Sequence, residues 1–442
     1  MSPRDYLFSL EQIGIKLGLD QIRALLAALN QPDRAYPSIV IAGTNGKGSV
    51  TAMVERGLRA AGYRTGRYTS PHLVDLEERV AIDGRAIRAD DLDRIAERVR
   101  TAAAALPAPP SFFEATTALA LEAFRDARVD IAVLEVGLGG RLDATNAVDS
   151  IGVAITSVDF DHEAYLGNTL EAIAFEKAGI IKGPRSPGSR APRSPGSLDP
   201  GLVVLGENPP VVRDVVARVA NDRGARLVHA PAGVRADARM LDGRTIVALH
   251  TPRADYGDVS LGLRGRHQIA NAVVAARLLE ELTVEGRVSV ARDDIRVGLE
   301  LVEWPGRLEL RHFRGHEVLV DGAHNPAGAR ALAAYLTEAY GRRLPIVVGA
   351  MGDKHIDGML TALAPVASRF ICTAVDSHRA ATAAEVSAKA RDAVAGGSGG
   401  TVIPVEAVTP PLAALEAALP FGQPVVVAGS LYLAGELRTQ LT

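Results

Sequence analysis

The sequence predicts an α/β protein in two parts. The first is an N-terminal unit, residues 1–302, built on a mostly parallel sheet covered by helices, with a small antiparallel β addition. The second is a smaller C-terminal Rossmann-like α/β unit, residues 303–442. Three observations carry this. The apolar run Ile39-Val40-Ile41-Ala42 ends in a loop with three glycines and is followed by the helical pattern TAMVERGLRAAG. Strand-like and helix-like runs alternate onward from there. Pro305-Gly306 then breaks the pattern, and a second alternating series begins: EVLVDG, PAGARALAAYLTEAY, PIVVGA, RFICTA, AATAAEVSAKARDAV, PVVVAG and LYLAGELRTQL.

Taken in order, residues 9–29 read as a helix, and QPDRAYP delivers the chain to the strand ending at Gly43. About forty residues precede the glycine loop, too few for a separate domain. Further strand candidates end near Ser70 (RTGRYTS), at Glu135 (VDIAVLEVG) and near Asp159 (IGVAITSVD). In open parallel sheets ligands sit beyond the carboxyl ends of the strands, so these loops are expected to converge on one edge. Residues 183–200 contain PRSPGS twice and read as a flexible surface loop. From 202 to 265 the runs LVVLGE, RTIVALHTP and DVSLGLRG suggest the antiparallel addition, and the helix RHQIANAVVAARLLEEL follows. Two α/β units joined by one short link predict a cleft that opens and closes.

Composition excludes some classes of function. Of 442 residues, 47% are hydrophobic and 23% charged, ordinary for a globular protein, and the formal charge of −3 argues against bulk binding to nucleic acid or an anionic membrane. The single cysteine, Cys372 in RFICTA, excludes an intramolecular disulfide and reads as a buried strand residue. MSPRDYLFSLEQIGIKLGLD lacks the apolar core of a signal peptide, and no apolar run is long enough to span a bilayer, so the expected compartment is the cytoplasm.

The chemistry starts at Thr44-Asn45-Gly46-Lys47-Gly48-Ser49. Glycines let backbone N–H groups turn inward on phosphate oxygens, the helix start adds partial positive charge, and Lys47 adds a full one. Gly48 departs from the common GxxxxGK[ST] spacing by separating Lys47 from Ser49. Glu135 ends an apolar strand and reaches past the sheet edge, where a carboxylate beside phosphates points to magnesium; the plainer alternative is a carboxylate capping the next helix. His162 follows another strand end and reads equally as a structural histidine or a site residue. Lys177 lies in NTLEAIAFEKAGIIK, with Asn168 as the expected N-cap and Glu171 three residues on. Its apolar neighbours predict a lowered pKa, and a neutral amine can take up carbon dioxide as a carbamate. Asp321 and His324, in VDGAHNP, are placed like Glu135 at a strand's carboxyl end and could close on a nucleotide from the opposite side. Asn271 offers an amide suited to a purine edge, and Arg307 a planar cation.

Together these segments resemble the folylpolyglutamate synthase and dihydrofolate synthase family, within the wider group of Mur-type ligases. The resemblance runs through AGTNGKGSV, TSPHL with ERV, FFEATTALALEAF, LEVGLGGRLDATN, DHEAYLG, EKAGIIK, GRHQIANA, WPGRLE, DGAHNPAG and GAMGDKH. It implies an ATP-dependent amide ligase, with dihydropteroate or reduced folate and L-glutamate as substrates and ATP and Mg2+ as cofactors. The first unit would bind ATP and folate, and the second glutamate. The resemblance further implies that Thr44 to Ser49 hold phosphates and that Asn271, Arg307 and Asp321 contact the rest of the nucleotide. Ser70, Glu135 and His162 would bind metal, and Lys177 would be carbamylated. Pteridine and benzoate contacts would fall on Leu19, Asp20, Gln21 and Ile22, on Phe112, Phe113, Glu114 and Ala115, and on Leu142, Asp143 and Ala144. His324 and Ser70 would lie near the incoming glutamate. The catalytic set would be Lys47, Glu135, His162, Lys177 and His324. The sequence does not fix the oligomeric state, and a monomer is the default expectation. A muramyl-peptide ligase is the nearest alternative, expected to carry a nucleotide-sugar domain before the phosphate loop. A phosphate-loop ATPase switch is a second.

Overall fold

The computed structural model describes residues 1–183, 201–377, 379–395 and 403–442. The repeated PRSPGS segment, 184–200, therefore lies outside the described residues.

The first sheet contains β1 (Ser38–Ala42), β2 (Thr65–Tyr68), β3 (Val80–Ile82), β4 (Arg85–Ala86), β5 (Ile131–Glu135), β6 (Ser150–Ile155), β7 (Leu202–Leu205) and β8 (Arg226–His229). Their order is β4-β3-β2-β5-β1-β6-β7-β8. All pairings from β2 to β8 are parallel, and β3 and β4 add an antiparallel edge. β1 shows why an unbroken apolar run becomes a central strand. Val40 and Ala42 enter one core with Leu134, Leu119 and Phe124, while Ile39 and Ile41 enter a second with Met53, Leu58 and Leu278. A strand buried on both faces needs apolar residues at every position.

The second sheet is antiparallel: β9 (Arg235–Leu241), β10 (Arg244–His250) and β11 (Asp255–Ser260). The expected antiparallel addition is thus confined to residues 235–260. LVVL is β7 of the main sheet, buried at all four positions, and helix Pro210–Asp222 links it to β8. β9 alternates exposed and half-buried residues, the mark of a strand with one wet face.

The third sheet holds β12 (Glu309–Phe313), β13 (His316–Val320), β14 (Leu344–Val348), β15 (Ala367–Cys372), β16 (Val405–Ala407) and β17 (Val425–Ala428), in the order β12-β13-β17-β14-β15-β16. β12 and β13 form a hairpin; the other pairings are parallel. Cys372 is buried in β15. β12 and β16 escape sequence patterning because they are half-exposed or three residues long.

Two local expectations need correction. The helix expected over 9–29 is broken: Pro3–Ser9 runs into a 3₁₀ turn at Leu10–Ile13, and a helix resumes only at Asp20–Ala28. Gly14 and Gly18, at φ 74° and 148°, turn the chain between them. The helix carrying Lys177 is capped by Thr169, not Asn168: the Thr169 hydroxyl accepts from Ala172 N at 3.2 Å. Among the described residues no helix is long and apolar enough to cross a membrane.

Candidate active site

The loop after β1 is shaped by close approaches that only glycine permits. A Cβ on Gly43 would lie 1.8 Å from Thr156 Oγ1, and one on Gly46 would lie 2.2 Å from Asn271 Oδ1. Thr156, at the end of β6, donates its hydroxyl to Asn45 O at 2.6 Å, and Thr44 N donates to Ser157 O at 2.6 Å. The loop is therefore strapped to the neighbouring strand. Gly46 is the N-cap of helix Lys47–Ala60 and has no side chain to satisfy the first-turn N–H groups, which are left for an anion. Lys47 Nζ donates to Gly43 O at 3.2 Å and Thr44 O at 3.1 Å. Burial lowers its pKa, and Glu135 and Asp161 work against that shift.

Around the loop stand side chains from the other strand ends. Glu135 ends β5 in register with Ile41 of β1, and its carboxylate accepts from Ser70 N at 3.3 Å. Burial raises its pKa against the pull of Lys47. His162, at φ 54°, has its pKa pushed down to about 4 by burial despite Asp161, so its imidazole is neutral. Lys177 is 4% exposed and donates to Gly43 O at 2.9 Å. Burial first, then the charge of Lys47, lowers its pKa to about 7, so much of the amine is neutral near physiological pH.

The third sheet closes the opposite side. Asp321, at the end of β13, accepts from Leu308 N and Ala323 N, both at 2.9 Å, and so pins the turn that presents Arg307 and His324. His324 Nδ1 donates to Gly322 O at 2.8 Å, which leaves Nε2 unprotonated. Asn271 Nδ2 donates to Gln268 Oε1 at 2.8 Å. These groups and the phosphate loop line one cavity of about 600 Å³, together with Ser70, Glu135, His162 and Lys177.

Sequence reasoning missed the residue that ties the two sides together. Asp161 accepts from Lys354 Nζ at 2.8 Å and Asn325 Nδ2 at 3.4 Å, and lies 3.9 Å from His324 Nε2. Burial opposes its ionisation, but His162, Lys354 and His324 outweigh that and hold the carboxyl below its usual range. Asp161 and Lys354 sit inside DHEAYLG and GAMGDKH, and Asp161 is one residue from His162, which was singled out. Arg379, also on the cavity wall, carries no local signature.

The eleven expected pteridine and benzoate positions do not line this cavity. Their three segments nonetheless meet: Gly18 N donates to Leu142 O at 3.4 Å, and helix Asp20–Ala28 packs on helix Phe112–Ala127. Ile22, Ala115 and Ala144 are core residues and offer no surface. Glu114 is consumed by capping Ser111, and Asp143 accepts from Gly137, Leu138 and Thr145 N–H groups. The carboxylates of Glu114 and Asp143 are held by these bonds, and Ile22, Ala115 and Ala144 are packed in the core. Leu19, Gln21, Phe112, Phe113 and Leu142 remain half-buried and Asp20 exposed. Phe113 lies under Gly137 at the cavity rim.

A glycine loop at a helix start faces a second α/β unit across a cleft, and both units match Mur ligase domains. The family pattern for the Mur ligase middle domain matches residues 41–279, and that for the Mur ligase, glutamate ligase domain matches 306–431. Within that class the chain belongs to the dihydrofolate synthase/folylpolyglutamate synthase family of ATP-dependent ligases. It is 38% identical over 376 residues to the dihydrofolate synthase/folylpolyglutamate synthase of Mycobacterium tuberculosis, covering 82% of this chain and 75% of that one. It matches crystal structures of Mycobacterium tuberculosis folylpolyglutamate synthase complexed with ADP and AMPPCP with a TM-score of 0.86 and 34% identity, over 99% and 98% of the two chains. A bifunctional folylpolyglutamate synthase/dihydrofolate synthase with Mn, AMPPNP and L-glutamate bound matches at TM-score 0.82 and 28% identity, again over 99% and 98%.

Proposed function

We propose that this enzyme joins L-glutamate to dihydropteroate, to the γ-carboxyl of a reduced folate, or to both, through an acyl phosphate. The carrying observation is the single cavity onto which the phosphate loop, Glu135, His162 and Lys177 open from one side and Arg307, His324, Lys354 and Arg379 from the other. Residues 1–302 act as the ATP- and folate-binding unit and 303–442 as the glutamate-binding unit.

A carboxylate is a poor electrophile because its leaving group would be oxide, so it is first phosphorylated. The free N–H groups at Gly46–Ser49 and the Lys47 ammonium hold the triphosphate of the ATP substrate while the acceptor carboxylate attacks the γ-phosphorus and ADP leaves. A buried carboxylate (Glu135) and a hydroxyl (Ser70) are oxygen donors that suit magnesium, and the neutral imidazole of His162 would stand beside them. Among the described residues no group of three or more His, Cys, Asp or Glu is placed to hold a metal; magnesium keeps most of its waters and takes few protein ligands. Magnesium would supply charge neutralisation on the phosphates. The low pKa of Lys177 suits a carbamate, which would replace a cation in that site by an anion. Arg307, Asn271 and Asp321 face the remainder of the nucleotide, and Leu19, Gln21, Phe112, Phe113 and Leu142 the pteridine and benzoate.

Lys354 and Arg379 attract the glutamate carboxylates. The glutamate amine attacks the acyl phosphate as its free base beside the unprotonated His324 Nε2, which lies 3.9 Å from Asp161, and its remaining proton leaves with the departing inorganic phosphate. We read the protein as a monomer acting in the cytoplasm, which light scattering and fractionation test. Phosphate release from ATP, measured with dihydropteroate or tetrahydrofolate, each with and without L-glutamate, tests the function. Release should require acceptor and glutamate together; release with neither means an ATPase switch.

A further inference from the structure

Gly48 interrupts the usual spacing of a phosphate loop, and its neighbourhood supplies a reason. A Cβ at this position would lie 2.9 to 3.1 Å from Cζ2, Nε1 and Cε2 of Trp304. The indole therefore seats on the first turn of helix Lys47–Ala60, at the residue between Lys47 and Ser49. The same ring carries the Arg67 guanidinium, its carbon 4.9 Å from the ring centroid. Arg67, on β2, is held by Glu55 of that helix, Nη1 to Oε2 3.6 Å, and Glu55 is fixed by the Thr65 hydroxyl at 2.5 Å. Trp304 is also the last residue before Pro305-Gly306-Arg307, the link into the third sheet. A flat ring wedged on a bare Cα and gripped by a cation is a rigid joint.

We propose that Trp304 is a positioning residue, which sets the phosphate loop against the link between the two units so that nucleotide affinity depends on where that link lies. It rests on the reading of Thr44–Ser49 as the phosphate cradle. The steric claim is specific: the absence of a Cβ at position 48 matters because the indole is there.

The chain has one tryptophan, so tryptophan emission, excited beyond the absorption of the tyrosines, reports this joint alone. Trp304→Ala, Trp304→Phe, Gly48→Ala and the Gly48→Ala/Trp304→Ala double variant are compared for the KM of ATP, kcat and thermal unfolding. Wild type, Gly48→Ala and Arg67→Met are titrated with a non-hydrolysable ATP analogue while emission is followed. Trp304→Ala should raise the KM for ATP about tenfold with a smaller change in kcat, and Trp304→Phe should recover most of the loss. Gly48→Ala should raise KM as well, and the double variant should fall clearly below the product of the two single effects. Wild-type emission should shift on binding the analogue. An unchanged KM in Trp304→Ala, or strictly multiplicative single effects, overturns the proposal. If Trp304→Ala does not fold, the Gly48→Ala/Trp304→Phe pair decides by the same product rule. Calorimetry showing no binding of the analogue to wild type overturns the cradle reading itself, and with it this one.

Discussion

Lys177 carries the chemistry least visible in the final geometry. Its amine is 4% exposed, bonded to Gly43 O at 2.9 Å, and shifted to about pH 7 by burial. Lys177→Ala should lower turnover on the order of a hundredfold while leaving nucleotide binding nearly intact, measured by steady-state kinetics and calorimetry. Unchanged turnover would remove the carbamate from the mechanism. Histidines give a second test. Burial, then Arg307, holds His267 down to about 4, and burial holds His324 there too. Because the unfolded imidazoles titrate near 6.5, the unfolded chain binds more protons between 6.5 and 4, so this stabilisation is complete above 6.5 and lost as pH falls toward 4. Melting temperature should decline over that window, and less steeply in His267→Gln. At this scale the sequence was readable where a residue ends an apolar run, as Glu135 does, or opens the helix that follows one, as Lys47 does. Asp161 was not singled out, since its partners Asn325 and Lys354 lie 164 and 193 residues away.

Elements were legible in proportion to their burial. β1, β5 and β7 are buried at every position; helix Arg292–Glu300, which packs on helix Lys47–Ala60, was not anticipated because it follows another helix with no strand between. Capping is a local matter that spacing alone misassigned. Thr169→Ala should cost about 1 kcal/mol in urea denaturation, whereas Asn168→Ala should cost almost nothing. Gly435, inside helix Leu431–Arg438, is a sharper case. Alanine in a helix interior ordinarily stabilises by about 1 kcal/mol over glycine. Here a Cβ would lie 1.8 Å from Leu73 O, where the loop after β2 docks on the third sheet's helices. Gly435→Ala should therefore destabilise by about 1–3 kcal/mol; a stabilised variant would show that this contact yields freely.

Across the whole molecule the two sides of the cavity are joined by polar contacts. Asp161–Lys354 at 2.8 Å, Asn325–Asn45 at 3.0 Å, Arg330–Asp159 at 3.4 Å and Arg266–Glu338 at 2.7 Å all span the cleft. Closure of this kind keeps water from a reactive acyl phosphate. Lys354→Met should lower ligation by about a hundredfold and raise the ratio of phosphate released to amide formed, since exclusion of water falls with the latch. Equal loss of both products would assign Lys354 to glutamate binding alone.

By itself the sequence determined the strand, glycine loop and helix that cradle phosphates, the alternation that builds two sheets, and the string of motifs that marks the family. Each of these is written in neighbouring residues, where periodicity and turn chemistry act over a few positions. Only the tertiary structure decided which side chains meet: that Asp161 bridges the cleft, that Ile22, Ala115 and Ala144 are packed in the core, and that Trp304 lies on Gly48. Such contacts join residues that chain order keeps far apart, and close packing, which leaves no periodic trace, settles which of them touch.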